Sequence, residues 1–394
     1  MPVDFLKVRH RIKEIGQTAS QHNAILQAKL TAAQELLDTY AQHISELRQK
    51  VERAAQEDPF LRCARPVNEG LKKAFPTPPL PEGVTVLAAD GSQISPDRHA
   101  ALQYYLINLG SIEIRLGLPQ PPLPSVKTSL YYGDELYTTQ GGLVTEEEVA
   151  LLRDRREREL LAELAEIAAP PVITLTDGPL ELWGSQSQDG ERGVTLSESL
   201  KSYQKSLHRL CALGAAAGGY VDKPRAELVV QLLEVAYTPE VELKTVRKAR
   251  PLRGVTYADL YDVLLRPGER SAVFAIQSKS SSAYTGELAL HFFYLNVGRE
   301  NKPWLARVEI PAWVLENPAM LDTLHAVLIQ QCRTMGTRPY PYLLHRAHET
   351  AVVTLEEKEQ VTQMLALELR QRGAPVGEQS AKQFHKEQAG RTRL

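Results

Sequence analysis

The stretch Val84-Thr-Val-Leu-Ala-Ala-Asp-Gly-Ser92, continuing Gln93-Ile-Ser-Pro96, decides how this chain is read. A run of apolar, β-prone residues ends in an aspartate, a glycine and a serine, as a buried strand does when it delivers a carboxylate at its tip. Val172-Ile-Thr-Leu-Thr-Asp-Gly-Pro-Leu180 repeats the arrangement. Asp-Gly is also a common turn dipeptide, so either copy alone reads as a turn. Two copies, both ending runs that should be buried, point to a site. A carboxylate there is poorly solvated unless it meets a cation or a donor. Two on neighbouring strands repel each other, and a divalent metal removes that penalty.

Working outward, residues 101–117 read as two strands turning at Gly110-Ser111, which with 84–89 predicts an antiparallel meander. Pro119 to Pro124 reads as a loop. Thr145-Glu-Glu-Glu148 opens a helix with an N-cap and three acids in its first turn; it runs to about Ala168, where Pro170-Pro171 stops it. The 172–176 strand follows. Strand, strand, strand, helix, strand is the opening of an RNase H-like α/β fold, a mixed sheet flanked by helices. Further helices are expected at about 197–216, 316–334 and 341–353, and strands near Tyr220, 272–277 and 287–297. Residues 185–195 read as a polar excursion and 225–290 as a mixed insertion.

Residues up to about 58 read as a long helix. Leu26, Leu30, Ala33, Leu37, Tyr40, Ile44, Leu47, Val51 and Ala54 alternate in fours and threes, the pattern of a coiled-coil seam, and Val8, Ile12, Ile15 and Ala19 carry a similar stripe upstream. The stripe fits a helix lying on its own domain, and equally a hairpin or dimer arm. The expected organisation is a helical or coiled-coil arm over 1–73, a proline-rich linker over 74–83, an RNase H-like domain over 84–373 and a mobile polar tail over 374–394. That tail carries Lys382, Lys386, Arg391 and Arg393.

At 394 residues, 43% hydrophobic and 24% charged, the chain has the composition of a soluble globular protein with room for one large domain or two. No segment has the apolar length of a membrane span and the N-terminus lacks a signal-peptide core, so a cytoplasmic location is expected. Cys63, Cys211 and Cys332 fit no zinc spacing and read as free thiols of a reducing compartment. A net charge of −2 excludes a generic polyanion binder, so any nucleic-acid affinity has to come from local basic groups.

Periodicity selects a third acid. Stepping back two turns from Leu164, on the apolar face with Leu160, Leu161 and Ala168, lands on Glu157, whereas Glu159, Glu163 and Glu166 share the wet face. Arg153, one turn earlier, can pair with Glu157, which is the structural alternative to a ligand role. Glu113 and Asp134 are the other candidates. The run Arg338-Pro-Tyr-Pro-Tyr-Leu-Leu-His-Arg-Ala-His-Glu349 adds His348 on the face expected to look inward, with His345 toward solvent. Near two aspartates His348 can ligate a metal or manage protons at a scissile phosphate. Ser92 lacks the spacing of a nucleophile elbow and reads as a cap on the turn that orients Asp90.

Together, Asp90-Gly-Ser92, the helix with Glu157, Asp177-Gly and the Tyr-Pro-Tyr run ending at His348 resemble the NurA nuclease family, as does Gly219-Tyr-Val-Asp-Lys-Pro-Arg225. The resemblance spans roughly residues 80–355. It implies a manganese-dependent DNA nuclease, acting as a 5′→3′ exonuclease and single-strand endonuclease. It further implies work in DNA end resection and double-strand break repair with a HerA-type hexameric ATPase, commonly as a homodimer. Asp90, Glu157, Asp177 and His348 would then be both catalytic and metal-binding. Carboxylates suit Mn²⁺ or Mg²⁺, a histidine favours Mn²⁺, and two ions about 3.5–4 Å apart supply what phosphodiester hydrolysis needs. Arg98, Lys223, Arg225 and Lys279 are candidates to hold the backbone of single- or double-stranded DNA ends, and Tyr340 and Tyr342, with Tyr104 and Tyr105, to stack on bases of a single strand. The rival reading is a catalytically inactive scaffold that docks the ATPase.

Overall fold

The computed structural model describes residues 3–138, 141–182, 190–374, 376 and 377, and of 190–195 the backbone alone. The chain divides into two compact units, Met1–Pro79 with Tyr220–Pro339, and Leu80–Gly219 with Tyr340–Leu394. The first unit opens with α1 (Phe5–Thr39), α2 (Ile44–Glu57), β1 (Cys63–Pro66) and β2 (Ala74–Phe75). The second contains β3 (Thr85–Ile94), β4 (Tyr105–Arg115), β5 (Leu123–Tyr131), α3 (Glu146–Ile167), β6 (Val172–Asp177) and α4 (Gly190–Ala212). The boundary falls within β7 (Ala216–Asp222). The first unit resumes with α5 (Leu228–Tyr237), α6 (Val246–Ala249), α7 (Tyr257–Tyr261), β8 (Arg270–Ser271), β9 (Phe274–Gln277), β10 (Leu290–Asn296), β11 (Leu305–Pro311), α8 (Ala312–Leu315) and α9 (Pro318–Thr334). The second is completed by α10 (Tyr342–Ala351) and α11 (Leu355–Gln371).

In the second unit the strand order is β5-β4-β3-β6. β3 and β4 pair antiparallel from Thr85↔Arg115 to Ile94↔Leu106, and β4 and β5 antiparallel from Tyr105↔Tyr131 to Glu113↔Leu123. β6 lies parallel to β3, from Thr85↔Val172 to Ala89↔Thr176. This is the expected RNase H-like mixed sheet. The period of two along β4 assigns its faces. Tyr105, Ile107 and Leu109 pack with Val149, Leu152 and Leu160 of α3, whereas Leu106, with Tyr104 and Ile94, packs with Val353, Val361 and Leu365 toward α11. Thr145 starts α3 through a capping box with Glu148, its amide donating to Glu148 Oε2 at 2.7 Å.

Three local expectations change. The strand at 101–117 does not turn at Gly110-Ser111; β4 runs straight through, and the third strand of the meander is β5. Gly110 serves a close approach instead. A Cβ there would lie 2.5 Å from the Ala351 amide nitrogen and 2.8 Å from the Ala347 carbonyl oxygen, so α10 rests directly on the strand. β5 escaped notice because it is the exposed outer strand and has no buried face to impose a pattern. β11 was hidden by Arg307 and Glu309, a buried pair 2.9 Å apart that interrupts its apolar run.

In the first unit the N-terminal helix breaks at residues 40–43, where the Leu71 amide donates to the Ala41 carbonyl at 2.9 Å and draws it out of the helical ladder. The seam continues across the break: Ala33, Leu37, Leu47, Val51 and Ala54 are buried. α1 packs on α5 and α7, and α2 on α5 and β1. The stripe from Leu26 onward is therefore largely covered within its own unit, while Val8, Ile12 and Ile15 are exposed. β2 places Ala74 and Phe75 of the expected linker in pairing with Ser271 and Arg270. The compact units also cut the chain differently from the expected division, since 220–339 groups with the N-terminal segment. The polar excursion at 185–195 and the tail from 374 lie outside the described residues, apart from the α4 backbone from Gly190 and residues 374, 376 and 377. Cys63 and Cys332 are buried and Cys211 is half-buried, and none of the three forms a disulfide. Among the described residues no helix is long and apolar enough to cross a membrane.

Candidate active site

Asp90 is not the last residue of its strand. β3 runs on to Ile94, and Asp90 pairs with Gly110 at the point where the parallel neighbour β6 ends. Because Ala89 pairs with Thr176, Asp90 and Asp177 are the next residues in register on adjacent strands. Parallel strands lie about 4.8 Å apart, so two carboxylates at one level crowd each other. The Asp177 carboxyl is accordingly raised above the usual carboxylate range, first by desolvation and then by the Asp90 charge, against a hydrogen bond from Tyr340 and the His348 charge. Gly178, at φ +87°, turns the chain immediately after it.

α3 brings the third acid to β3. Glu157 is 7% exposed, on the sheet-facing side that periodicity selected. Gly91 makes room for it: a Cβ at 91 would lie 2.7 Å from Glu157 Oε1 and 2.6 Å from Arg153 Cγ. Burial lifts the Glu157 carboxyl to about 8; Asp154 and Asp90 push the same way, and Arg158 and Arg153 oppose them. Arg153 Nε stands 3.2 Å from Glu157 Oε1, so the ion pair foreseen as the structural alternative is present. Gly91 faces α3 whereas Asp90 faces α10. Beyond Ala89, β3 no longer pairs with β6, and the Asp90 charge still reaches Glu157 there.

α10 supplies the histidine. His348 Nδ1 lies 2.7 Å from Asp90 Oδ2, and the carboxylate makes it the donor, leaving Nε2 to a side chain that is 65% exposed. His348 thus sits over Asp90 from the open side rather than facing inward. His345 is half-exposed, 3.5 Å from Glu349. Ser92 does not cap a turn. Its hydroxyl donates to the Ala351 carbonyl at 2.5 Å and accepts from the Val353 amide at 3.1 Å, tying down the end of α10.

Asp90 is therefore the hub: its charge acts on Glu157, Asp177 and Arg153, and its oxygen holds His348. Among the described residues, no three His, Cys, Asp or Glu side chains are gathered as one ligating group. Glu113 pairs with Leu87, three residues along the strand from Asp90, and Asp134 lies in a 3₁₀ turn at Gly133–Leu136. The electrostatic coupling favours Glu157 over both.

Of the other expected residues, Arg98 is exposed on the loop after β3 and Tyr342 is half-buried in the first turn of α10. Tyr104 is a core residue, its hydroxyl 2.7 Å from Thr362 Oγ1, and Tyr105 is buried and stacked on Tyr131. Lys223, Arg225 and Lys279 belong to the first unit; Lys223 Nζ sits 3.8 Å over the Trp304 ring and Lys279 Nζ 4.7 Å over Phe60. Sequence reasoning missed Gly91 and Gly110, whose need for a bare Cα appears only when the helices are in place.

The mixed sheet with its flanking helices defines an RNase H-like fold, with Asp90 and Asp177 side by side where β6 ends, Glu157 buried on the packing helix and His348 against Asp90. The family model of the NurA domain matches residues 84–353, and the chain belongs to the NurA family. It is similar to the crystal structure of the NurA nuclease from Sulfolobus solfataricus, with a TM-score of 0.50 and 12% identity over 93% of this chain and 98% of that one. It also matches the catalytic domain of human Endonuclease V, at 13% identity over 82% of this chain and 98% of that one, with a TM-score of 0.30. A third match, LC9-RNase H1, a type 1 RNase H with the type 2 active-site motif, has 13% identity, a TM-score of 0.21 and coverage of 38% and 67%. No curated protein matches. Family membership and fold support a nuclease role.

Proposed function

We propose that this chain is a metal-dependent deoxyribonuclease whose site is Asp90, Glu157, Asp177 and His348. The observation that carries the reading is the crowding around Asp90: two carboxylates in register on adjacent strands and a third buried beside them, with Glu157 lifted to about 8. Such a group is held charged most readily by a divalent cation. Its donor set, three carboxylates and an imidazole, fits Mn²⁺ or Mg²⁺. The three acids and His348 would hold the ions, which supply an activated water and neutralise charge building on the phosphate.

The chain's own groups do the rest. Tyr340 donates to Asp177 and restrains it, and Arg153 offsets the Glu157 charge. Asp90 fixes the His348 tautomer through Nδ1, leaving the Nε2 lone pair as the atom that would meet an ion. Arg98 and Tyr342, in the same unit, are proposed to meet backbone and base, and Lys223, Arg225 and Lys279 to add phosphate contacts.

The finer reading is 5′→3′ exonuclease and single-strand endonuclease activity with Mn²⁺, in end resection with a HerA-type translocase, as a cytoplasmic homodimer. Labelled single- and double-stranded DNA incubated with Mn²⁺, Mg²⁺ or EDTA tests it. Asp90→Ala should abolish cleavage, and equal cleavage by that variant overturns the assignment. One observation favours the inactive-scaffold reading: His348, Asp177 and Glu157 already have protein partners. Wild type that cuts nothing, alone or with its ATPase, would decide for it.

A further inference from the structure

Ser92, Asn108 and Thr128 stand directly opposite one another on β3, β4 and β5, a polar row across three strands on the face that α10 covers. Its members form one hydrogen-bonded chain. Thr128 Oγ1 donates to Asn108 Oδ1 at 2.6 Å, so the amide nitrogen must point the other way. Asn108 Nδ2 then donates to the Ala351 carbonyl at 2.8 Å, the same oxygen that receives the Ser92 hydroxyl at 2.5 Å. That carbonyl is among the last of α10, which have no partner within the helix. Ser92 also accepts the Val353 amide at 3.1 Å and so completes the stop.

The row costs the sheet something. Asn108 is 8% exposed, asparagine is a poor strand former, and an apolar residue would fill the place more simply. What the row obtains is register. The next row along the strands is Asp90, Gly110 and Val126, and it is over Gly110 that the end of α10 rests. His348 is one turn before Ala351. Its side chain is 65% exposed, so packing scarcely holds it; its place over Asp90 depends on where the helix end is pinned.

We propose that Asn108, oriented by Thr128 and assisted by Ser92, is a positioning residue that sets the register of α10 and thereby the Asp90–His348 hydrogen bond. Its catalytic consequence rests on the nuclease reading above; its effect on His348 does not. Asn108→Leu removes the bonds and keeps the bulk, while Thr128→Val, on the exposed strand, removes only the hydroxyl that orients the amide.

The test reads two quantities on the full chain: the side-chain nitrogen resonances of His348 at one fixed pH without divalent ions, and steady-state cleavage of labelled single-stranded DNA with Mn²⁺. In wild type the Nδ1-protonated form, bonded to Asp90, should dominate. In both variants that preference should weaken and kcat should fall about ten- to a hundredfold at little-changed KM, as for a group displaced by about 1 Å. Thr128→Ser, which restores the donor, should recover both. Wild-type His348 resonances in a folded Thr128→Val or Asn108→Leu variant would overturn the proposal, as would failure of Thr128→Ser to rescue. If Asn108→Leu does not fold, Thr128→Val decides. A wild type without cleavage removes the nuclease reading, and the resonances still decide the clamp.

Discussion

Replacing Gly110 by alanine perturbs the site without touching any charged group, and the structure gives the size of the effect. The added methyl would sit 2.5 Å from the Ala351 nitrogen, 2.7 Å from the Thr350 carbonyl carbon and 2.8 Å from the Ala347 oxygen. All three are backbone atoms, so no side chain can swing aside. Ordinary contact begins near 3.4 Å, so the end of α10 has to retreat by 3.4 − 2.5, or about 0.9 Å. A gap of that size forfeits a quarter to half of the dispersion energy of the contacts it opens, and overpacked core positions lose about 1–3 kcal/mol. At roughly 2–4 °C per kcal/mol for a unit of this size, the melting temperature should fall by about 2–12 °C. The same retreat would stretch the His348–Asp90 contact from 2.7 Å beyond hydrogen-bond range. DNA cleavage should therefore fall about ten- to a hundredfold in protein that is still folded. Calorimetry and the DNA assay on Gly110→Ala, with Ser111→Ala as the neighbour control, measure both. A variant that melts within 1 °C of wild type and cuts DNA normally would refute the packing argument.

Further outcomes follow from other parts of the molecule. The Glu157 carboxyl is raised from 4.5 to about 8 in the fold, so the folded chain binds the extra proton: without divalent ions its stability should be full below pH 4.5 and decline as pH rises through about 8. Urea unfolding at pH 5–9 should show that decline in wild type and lose it in Glu157→Gln; parallel curves would remove the assignment. Mn²⁺ added at pH 8 should raise the wild-type melting temperature and leave Asp90→Asn nearly unmoved, which a thermal shift series reads directly. In the first unit, Arg250 Nε bonds the Glu234 carboxylate at 2.6 Å, and Glu234 is only 1% exposed. Arg250→Ala strands that buried charge and should destabilise by about 3–5 kcal/mol by chemical denaturation, whereas loss of an exposed pair such as Arg209–Glu166 should cost less than about 1 kcal/mol.

The legible parts of the sequence were those with a period or a punctuation mark. The apolar runs ending at Asp90 and Asp177 marked two neighbouring strands, and the 3.6-residue period of α3 singled out Glu157 from Glu159, Glu163 and Glu166 on the same helix, because burial of one helical face is written into spacing. β5 left no such trace, since an exposed strand has no buried side, and α10 could be foreseen as a helix but not as a helix lying on β4. Gly110 shows the limit most clearly. Read locally it is a turn, because glycine's backbone freedom is a local property. In the fold it is a bare spot under another helix, which no neighbour in the chain reveals.

The sequence by itself determined the strands that carry Asp90 and Asp177, the helix between them with its buried face, and the residue types offered for the site. Only the tertiary structure decided that Asp90 lies inside a strand rather than at its tip, that Ser92 stops a helix 259 residues away, and that Asn108 belongs to the same hydrogen-bonded row. The physical reason is that periodicity records which side of an element is dry, whereas register between elements is fixed by close contacts and long-range hydrogen bonds that join residues far apart in the chain.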